Sequence, residues 1–252
     1  MFIRLVFSLN VACALFSSAA AAQNTIKVVA DQWVPFGSSD HPNGRNSLDV
    51  ISTVLERASY NLEAEIVPWE RALDSLKTGT YDVVGNLFQV LALVEYLTFS
   101  DPFYDTEVHF LQKRDANNSF TNVDSLKPYT IAVGAGYLSE GSFDRANFLK
   151  KKEVTTVIQG VRMVANERVD LTLDSVDVLN YVIAHEAPEL SEMVEYLPNR
   201  LNMQAIHMVV CNGLQGRDVL LENFNRVLAE MLADDSPTEL LSKQPYYAGP
   251  SK

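Results

Sequence analysis

The histidines and the glycine-rich segments of this 252-residue chain are the first places to look for catalysis. None of its four histidines stands at the spacing of a zinc site or a metalloprotease helix. The sequence contains neither a Gly-x-Ser-x-Gly elbow nor a phosphate loop ending in Gly-Lys-Ser/Thr. Gly134 and Gly136 form a Gly-x-Gly pair without a third glycine, which is more typical of a tight turn than of a dinucleotide site. We therefore expect a protein that is not an enzyme and holds no metal or cofactor.

The first 22 residues have the pattern of a secretory signal peptide. Arg4 is followed by an apolar stretch at 5–16 and by small residues at 20–22, which predicts cleavage before Gln23. The apolar stretch is shorter than the roughly 20 residues that a membrane-spanning helix needs, so a retained anchor is the less favoured alternative. The mature protein is expected in the periplasm.

Removal of these residues would leave 230 residues with a net charge of −13. This length suits one large domain or two lobes of ordinary size. An acidic chain without a cluster of lysine and arginine repels phosphate backbones, so nucleic acid is not an expected partner. No second apolar run approaches membrane length, which predicts that the mature chain is not inserted into a membrane.

Strand-like and helix-like segments alternate along the chain, which predicts an α/β fold with mostly parallel strands. Strands are predicted at 25–33, 63–68, 81–88, 107–113, 130–136, 154–158, 171–173 and 205–211. Helices are predicted at 47–58, 69–77, 139–151, 161–168, 175–185 and 218–234. The two series of elements join near 113–125.

Three passages together resemble the family 3 extracellular solute-binding proteins. They are Trp-Val-Pro-Phe at 33–36, Trp-Glu-Arg-Ala-Leu at 69–73 with Gly79 and Tyr-Asp-Val-Val at 81–84, and Phe-Ser-Asp-Pro-Phe-Tyr at 99–104. Weaker matches follow at 131–136 and 168–174. The resemblance covers essentially the whole mature chain in the expected order.

The resemblance implies a type II periplasmic-binding-protein fold with two lobes joined by a two-strand hinge, each lobe a sheet flanked by helices. Lobe 1 would comprise 23–112 and 203–252, and lobe 2 would comprise 113–202. A small molecule would bind between the lobes, and an ABC permease of the inner membrane would receive it. The family also suggests a monomer.

Carried over residue by residue, the family's pocket falls on several positions of this chain. Trp33 and Phe36 match an aromatic wall of lobe 1, and Trp69 matches another apolar pocket residue. Asp174 matches a carboxylate that accepts a hydrogen bond from a ligand amino group. The alternatives are core packing for Trp33 and Phe36, and capping of a helix at Ser175 for Asp174.

The usual anchors for a ligand carboxylate are missing. Val90 and Leu93 replace the family's Thr-x-x-Arg, and a leucine cannot neutralise a buried carboxylate. Phe88 replaces a polar residue, and Tyr137 replaces the threonine of the family's Gly-Thr pair.

Asn86 and Ser139 remain as neutral hydrogen-bonding groups, and Arg71 as a displaced cation or a solvated helix residue. The ligand-binding residues predicted on this basis are Trp33, Phe36, Trp69, Arg71, Asn86, Phe88, Leu93, Tyr137, Ser139 and Asp174. Such a pocket suits an amine, or a neutral or aromatic molecule, better than a dicarboxylate or a standard α-amino acid.

Two other functions remain open. The chain could have lost small-molecule capture and act as a sensory protein that contacts a membrane partner. Less favoured is a periplasmic enzyme like the cyclohexadienyl dehydratases, in which Asp174, Glu70 and Tyr137 would supply the acid and base groups.

Overall fold

The computed structural model describes residues 25–37, 46–89, 95 and 97–234. The predicted signal peptide at 1–22 lies outside these residues, as do Val90 and Leu93. None of the helices within the described ranges is both long and apolar enough to cross a membrane.

The described residues form nine strands and six α-helices that alternate along much of the chain. The strands are β1 Thr25–Ala30, β2 Asn61–Ile66, β3 Val83–Phe88, β4 Leu97–Phe99, β5 Tyr104–Lys113, β6 Thr130–Gly134, β7 Lys150–Val154, β8 Leu171–Ser175 and β9 Val194–Cys211. The helices are α1 Asn46–Arg57, α2 Trp69–Thr78, α3 Gly141–Asp144, α4 Val157–Ala165, α5 Val176–His185 and α6 Arg217–Ala233.

All of the strands belong to one mixed sheet, in the order β2-β1-β3-β9-β5-β8-β6-β7, with β4 paired to β9. β1 pairs in parallel with β2 and β3, and β6 pairs in parallel with β7 and β8. The long strands β5 and β9 are antiparallel neighbours between these two parallel groups. The two-lobed α/β fold with a two-strand connection is thus confirmed, while the residue boundaries of the lobes stay a prediction.

The helices bury the apolar faces that the sequence periodicity predicts. The buried residues of α1 are Leu48, Val50, Ile51, Val54 and Leu55. Those of α6 are Leu220, Leu221, Phe224, Val227, Leu228 and Met231. All of these belong to one apolar cluster, in which α1 packs against α6. The C-terminal helix therefore completes the core of the first lobe.

The segment 139–151 differs from its prediction as one helix. Only Gly141–Asp144 is helical, and Lys150–Val154 is a strand that pairs in parallel with β6. β7 lies at the edge of the sheet, where exposed lysines are common because they discourage pairing with other chains. Its run of charged residues hides the strand from a search based on apolar alternation.

Several other elements also differ from the prediction. The strand expected at 154–158 ends at Val154, because the Thr156 side chain accepts a hydrogen bond from the Gln159 N–H and begins α4. The short strand β4 was not predicted, and β9 begins at Val194, well before 205. Much of the added length of β9 is partly exposed, which weakens its apolar pattern.

Candidate ligand-binding site between the lobes

Three hydrogen bonds donated by side chains connect the two lobes at this site. Trp33 Nε1 donates to Asp174 Oδ1 at 3.1 Å, and Trp69 Nε1 donates to the Gly136 carbonyl at 3.0 Å. In the opposite direction, the Tyr137 hydroxyl donates to Asp31 Oδ2 at 2.5 Å. Four of the predicted site residues, Trp33, Trp69, Tyr137 and Asp174, are thus brought together with Asp31.

A tight turn after β1 positions the part of the site that belongs to the first lobe. The backbone N–H groups of Trp33 and Gly37 each donate to the other residue's carbonyl at 2.8 Å. A Cβ at Gly37 would lie 2.3 Å from the Asp31 carbonyl oxygen, so the turn needs a glycine there. The turn holds Asp31 and Trp33 beside each other at the end of the strand.

Aromatic rings form two groups within the site. The Trp33 ring lies 4.7 Å from the Phe36 ring and 5.1 Å from the Phe88 ring, measured between centroids. Trp69 stacks on Tyr137 across the two lobes, with centroids 5.4 Å apart and an angle of 23° between the planes. Phe36 is only 2% exposed. Phe36 therefore packs against the Trp33 ring inside the core, in agreement with the core-packing alternative, and Trp33 is itself only 6% exposed.

Asn86 lies at an irregular point of β3, where the pairing with β9 shifts register between Val84 and Leu87. Its φ of 59° is in the left-handed region, which is unusual for a residue inside a strand. Asn86 Nδ2 donates to Asp31 Oδ1 at 3.4 Å, while the buried Oδ1 of Asn86 has no hydrogen-bond partner among the described residues. An unpaired buried acceptor is costly, and such strain is often found at functional sites.

The two carboxyl groups of the site are held in a poorly solvated environment. Burial raises the pKa of Asp31 to about 6, although hydrogen bonds from Tyr137 and Asn86 act in the opposite direction. Burial likewise raises the pKa of Asp174 to about 7, and the charge of Asp31 adds to this rise. The hydrogen bonds from the Ser175 N–H and Trp33 oppose it. Among the described residues, the donors to both carboxyl groups are neutral, and neither group forms an ion pair with a cation.

The remaining predicted residues are not placed in this group by a described contact. Arg71 is exposed on α2, and its charge lowers the pKa of Tyr81 against larger opposing effects. Ser139 is held through its backbone, whose carbonyl accepts hydrogen bonds from Gln204 at 2.6 Å and Asn202 at 3.2 Å on β9. Leu93 lies outside the described residues, so its role stays a prediction.

Asp174 is not the cap of the helix that follows it. The N-cap of α5 is Ser175, which makes no side-chain capping bond, and the helix begins at Val176. Asp174 instead accepts hydrogen bonds from the Ser175 N–H at 2.7 Å and from Trp33. Of the two alternatives for Asp174, the structure favours a place in the site between the lobes.

Asp31 is the residue that the sequence analysis missed. The first strand is predicted at 25–33 and so includes Asp31, whereas the observed strand ends at Ala30. The available signal was an aspartate two positions before Trp33, since an acidic residue is uncommon inside a buried strand.

The described residues contain no group of three or more His, Cys, Asp or Glu side chains that could hold a metal ion. The groups that the site does contain are hydrogen-bonding groups and aromatic rings. Its carboxylates, its unpaired amide oxygen and its aromatic rings can together recognise a donor-rich molecule.

A family model described as bacterial extracellular solute-binding proteins, family 3, matches residues 26–244. The chain belongs to this family. The match spans both lobes and confirms the resemblance found in the three sequence passages. No curated protein sequence gives a significant match.

Solved structures of family 3 amino-acid-binding proteins and of sensor domains share the fold. A mutant of ArgBP from T. maritima superposes with a TM-score of 0.73 and 18% identity, covering 88% of this chain and 95% of that one. The substrate binding protein of an amino acid ABC transporter gives 0.70 and 20%, covering 88% and 99%. The Bordetella pertussis BvgS periplasmic VFT2 domain gives 0.71 and 18%, covering 88% and 94%.

The raised pKa values of Asp31 and Asp174 predict that stability falls as the pH rises. A carboxyl group whose folded-state pKa lies above its ordinary value of 3.8 stabilises the fold fully below that value, and this contribution is lost as the pH passes about 6 to 7. The free energy of unfolding without ligand should fall by about 4 kcal/mol between pH 5 and pH 8 through these two groups. Urea unfolding at a series of pH values measures this change.

The double variant Asp31→Asn/Asp174→Asn should flatten this dependence, because an amide resembles the protonated carboxyl group but does not ionise. The exposed residues Asp124 and Asp218 provide a control with the same change in net charge when both become asparagine. An equal flattening in both double variants would show that general charge repulsion, and not the site, controls the pH dependence.

Proposed function

We propose that this chain is a periplasmic solute-binding protein that captures a small molecule carrying a protonated amine between its two lobes. The observation that carries the proposal is the set of acceptors in the site. Asp31, Asp174 and the Asn86 amide oxygen come from both lobes, and the donors that reach them are neutral. A cationic donor is the group that this arrangement lacks.

An ammonium group matches these acceptors in charge and in hydrogen-bonding direction. It has three donors and no acceptor, and its bonds to carboxylates are charge-assisted and strong. Two ionised carboxylates in a buried site repel each other and are poorly solvated, so a cation between Asp31 and Asp174 would relieve both costs. A ligand carboxylate would add to the repulsion instead.

The aromatic rings indicate what the rest of the ligand resembles. Trp33 and the stacked pair of Trp69 and Tyr137 place aromatic rings beside the carboxyl groups. Such rings attract cations through their faces and also bury apolar parts of a ligand. An amine with an aromatic or aliphatic body suits the site better than a sugar or a dicarboxylate.

Ligand capture would be coupled to closure of the lobes. Asp31 belongs to the first lobe and Asp174 to the second, and the three hydrogen bonds between Trp33, Trp69 and Tyr137 and their partners cross the same interface. Each carboxylate can accept several hydrogen bonds, so it can bond a cation while it keeps its donors from the protein. A cation bonded to both carboxylates would therefore hold the two lobes together.

Delivery to an ABC permease of the inner membrane is the role we propose for the captured ligand. The family consists of extracellular solute-binding proteins, and one similar structure is the substrate binding protein of an amino acid ABC transporter. Export through the signal-like segment at 1–22 would place the protein beside such a permease.

We also propose that the protein acts as a monomer and does not catalyse a reaction. Glu70, one of the acids that a dehydratase-like site would need, is exposed on α2.

A thermal-shift screen of the exported protein tests the proposal. The panel contains polyamines, aromatic amines and basic amino acids, with sugars, dicarboxylates and prephenate as the contrasting classes. A ligand at about 100 times its dissociation constant adds about 2.7 kcal/mol, which raises the melting temperature by several degrees. Shifts confined to amines support the proposal. Shifts from dicarboxylates or sugars alone, or turnover of prephenate, would contradict it.

A sensory role is the second candidate. The direct hydrogen bonds between the lobes favour it, because they allow the chain's own side chains to hold the lobes together. The similarity to the BvgS VFT2 domain is consistent with such a role. Failure of every molecule in the panel to shift the melting temperature would favour this candidate over solute capture.

A further inference from the structure

A groove on the second lobe runs between helix α4 and the edge strand β7 and shares no lining residue with the site between the lobes. It encloses about 510 Å³. The residues that line it are Lys152, Thr156, Ile158, Gln159, Arg162, Met163, Asn166 and Arg168. We call this surface the α4–β7 groove.

Three of the lining residues are cations, and the groove has no acidic lining residue. Lys152, Arg162 and Arg168 are all exposed. Within the part of the chain that the structure describes, their side chains form no ion pair or hydrogen bond. Three charges in one groove therefore remain without compensation.

Four other cations near the same lobe form ion pairs, whereas these three form none among the described residues. The pairs are Lys113 with Glu167, Arg114 with Glu195, Lys127 with Asp124, and Arg200 with Glu107. The chain as a whole carries a net charge of −12. In an acidic protein, a groove with three unpaired cations is a local positive region that attracts anionic partners and steers their approach.

The acidic residues next to the groove do not neutralise it. Glu153 neighbours Lys152 on β7, but successive residues of a strand point to opposite faces of the sheet. Glu167 precedes Arg168, but its carboxylate bonds Lys113 Nζ at 2.5 Å. The positive charge of the groove is therefore not cancelled from its own borders.

We propose that the α4–β7 groove binds an acidic segment of a partner protein. Helix α4 has nine residues and is about 13 Å long, so the groove beside it can contact several side chains of an extended segment. The lysines of β7 discourage addition of another strand at this edge, so recognition would rest on side-chain charge. Gln159 accepts bonds from Thr155 through Oε1, which leaves its amide N–H groups as further donors.

The groove is separate from the site between the lobes but adjoins it. The Ala135 N–H donates to the Val154 carbonyl at 2.9 Å, so the end of β7 contacts the segment that carries Gly136 and Tyr137. A partner in the groove would thus contact the second lobe close to the site between the lobes. The proposal stands whether the partner belongs to a transporter or to a sensor.

Octaglutamate, labelled with a fluorophore, is the probe that tests the proposal on the exported protein by fluorescence anisotropy at about 50 mM salt. The variant Lys152→Gln/Arg162→Gln/Arg168→Gln should bind the peptide at least about tenfold more weakly than the unchanged protein. Binding to the unchanged protein should weaken as salt is added, because these cations are exposed.

The variant Lys27→Gln/Lys77→Gln/Arg226→Gln is the matched control, since it removes three exposed positive charges elsewhere. Its affinity should change by less than about twofold. If the groove variant does not fold, the single variant Arg162→Gln should still weaken binding by about threefold. Equal losses in groove and control variants, or no binding of octaglutamate to the unchanged protein, would overturn the proposal. So would groove-dependent binding to phosphatidylglycerol vesicles or inorganic phosphate that octaglutamate does not compete with.

Discussion

The variant Asp174→Asn is expected to bind the amine ligand at least about 30-fold more weakly at pH 8, and Asp31→Asn should have a similar effect. Both carboxyl groups are ionised at this pH, because their pKa values are about 7 and about 6. Loss of either charge removes a charge-assisted hydrogen bond from the site, which is worth about 2 kcal/mol or more. Isothermal titration calorimetry with the amine found by the thermal-shift screen measures the change.

The exposed residue Asp124 provides the control, because Asp124→Asn removes a charge from the same lobe at a distance from the site. Affinity in the unchanged protein should also fall as the pH drops through 7 and 6, since protonation of Asp174 and Asp31 abolishes their attraction for a cation. The two asparagine variants should show less of this fall. Unchanged affinity in both Asp174→Asn and Asp31→Asn would place the amine outside this site.

The variant Phe110→Ala is expected to lower the free energy of unfolding by about 3–5 kcal/mol, the largest effect of a substitution on stability that we predict. Phe110 lies on β5 and is 0% exposed. Its ring is 5.0 Å from that of Phe120 and 5.8 Å from that of Phe143, so removing it leaves a cavity among rings that cannot all move inward. Urea unfolding monitored by circular dichroism measures the loss.

Phe148→Ala is the matched control for this measurement, because it removes the same kind of ring from a side chain that is 54% exposed. Its ring faces the Lys127 ammonium group at 4.9 Å, a contact that is worth about 0.5–1 kcal/mol at an exposed site. A loss in Phe110→Ala no greater than that in Phe148→Ala would mean that the neighbouring rings of Phe120 and Phe143 repack into the space left by the missing ring.

The order of the elements could be predicted from the sequence because most helices and strands have regular apolar patterns. The helices at 47–58 and 218–234 were predicted close to their observed bounds of Asn46–Arg57 and Arg217–Ala233. Their apolar stripes match a 3.6-residue period and pack against each other. In contrast, Lys150–Val154 is charged and exposed for most of its length, so no pattern distinguished this edge strand from a helix.

The site could be predicted only where the resemblance supplied positions. Trp33, Trp69, Tyr137 and Asp174 came from family motifs, and the structure brings them together. Asp31 could not be recognised, since its place beside Tyr137 results from the meeting of two lobes whose residues are 106 positions apart in the chain. A contact of that kind depends on the relative position of the two lobes, which no local sequence pattern encodes.

The path of β9 has a consequence for the order in which the two lobes fold. The strand pairs with β3 and β4 of the first lobe, whose core also needs α6. Strands β6 to β8 and helices α3 to α5 follow one another without interruption. As the nascent chain emerges, the second lobe can therefore acquire most of its contacts before β9 and α6, which the first lobe needs, have been synthesised. The lobe that contains β1 is therefore the one that completes its fold last.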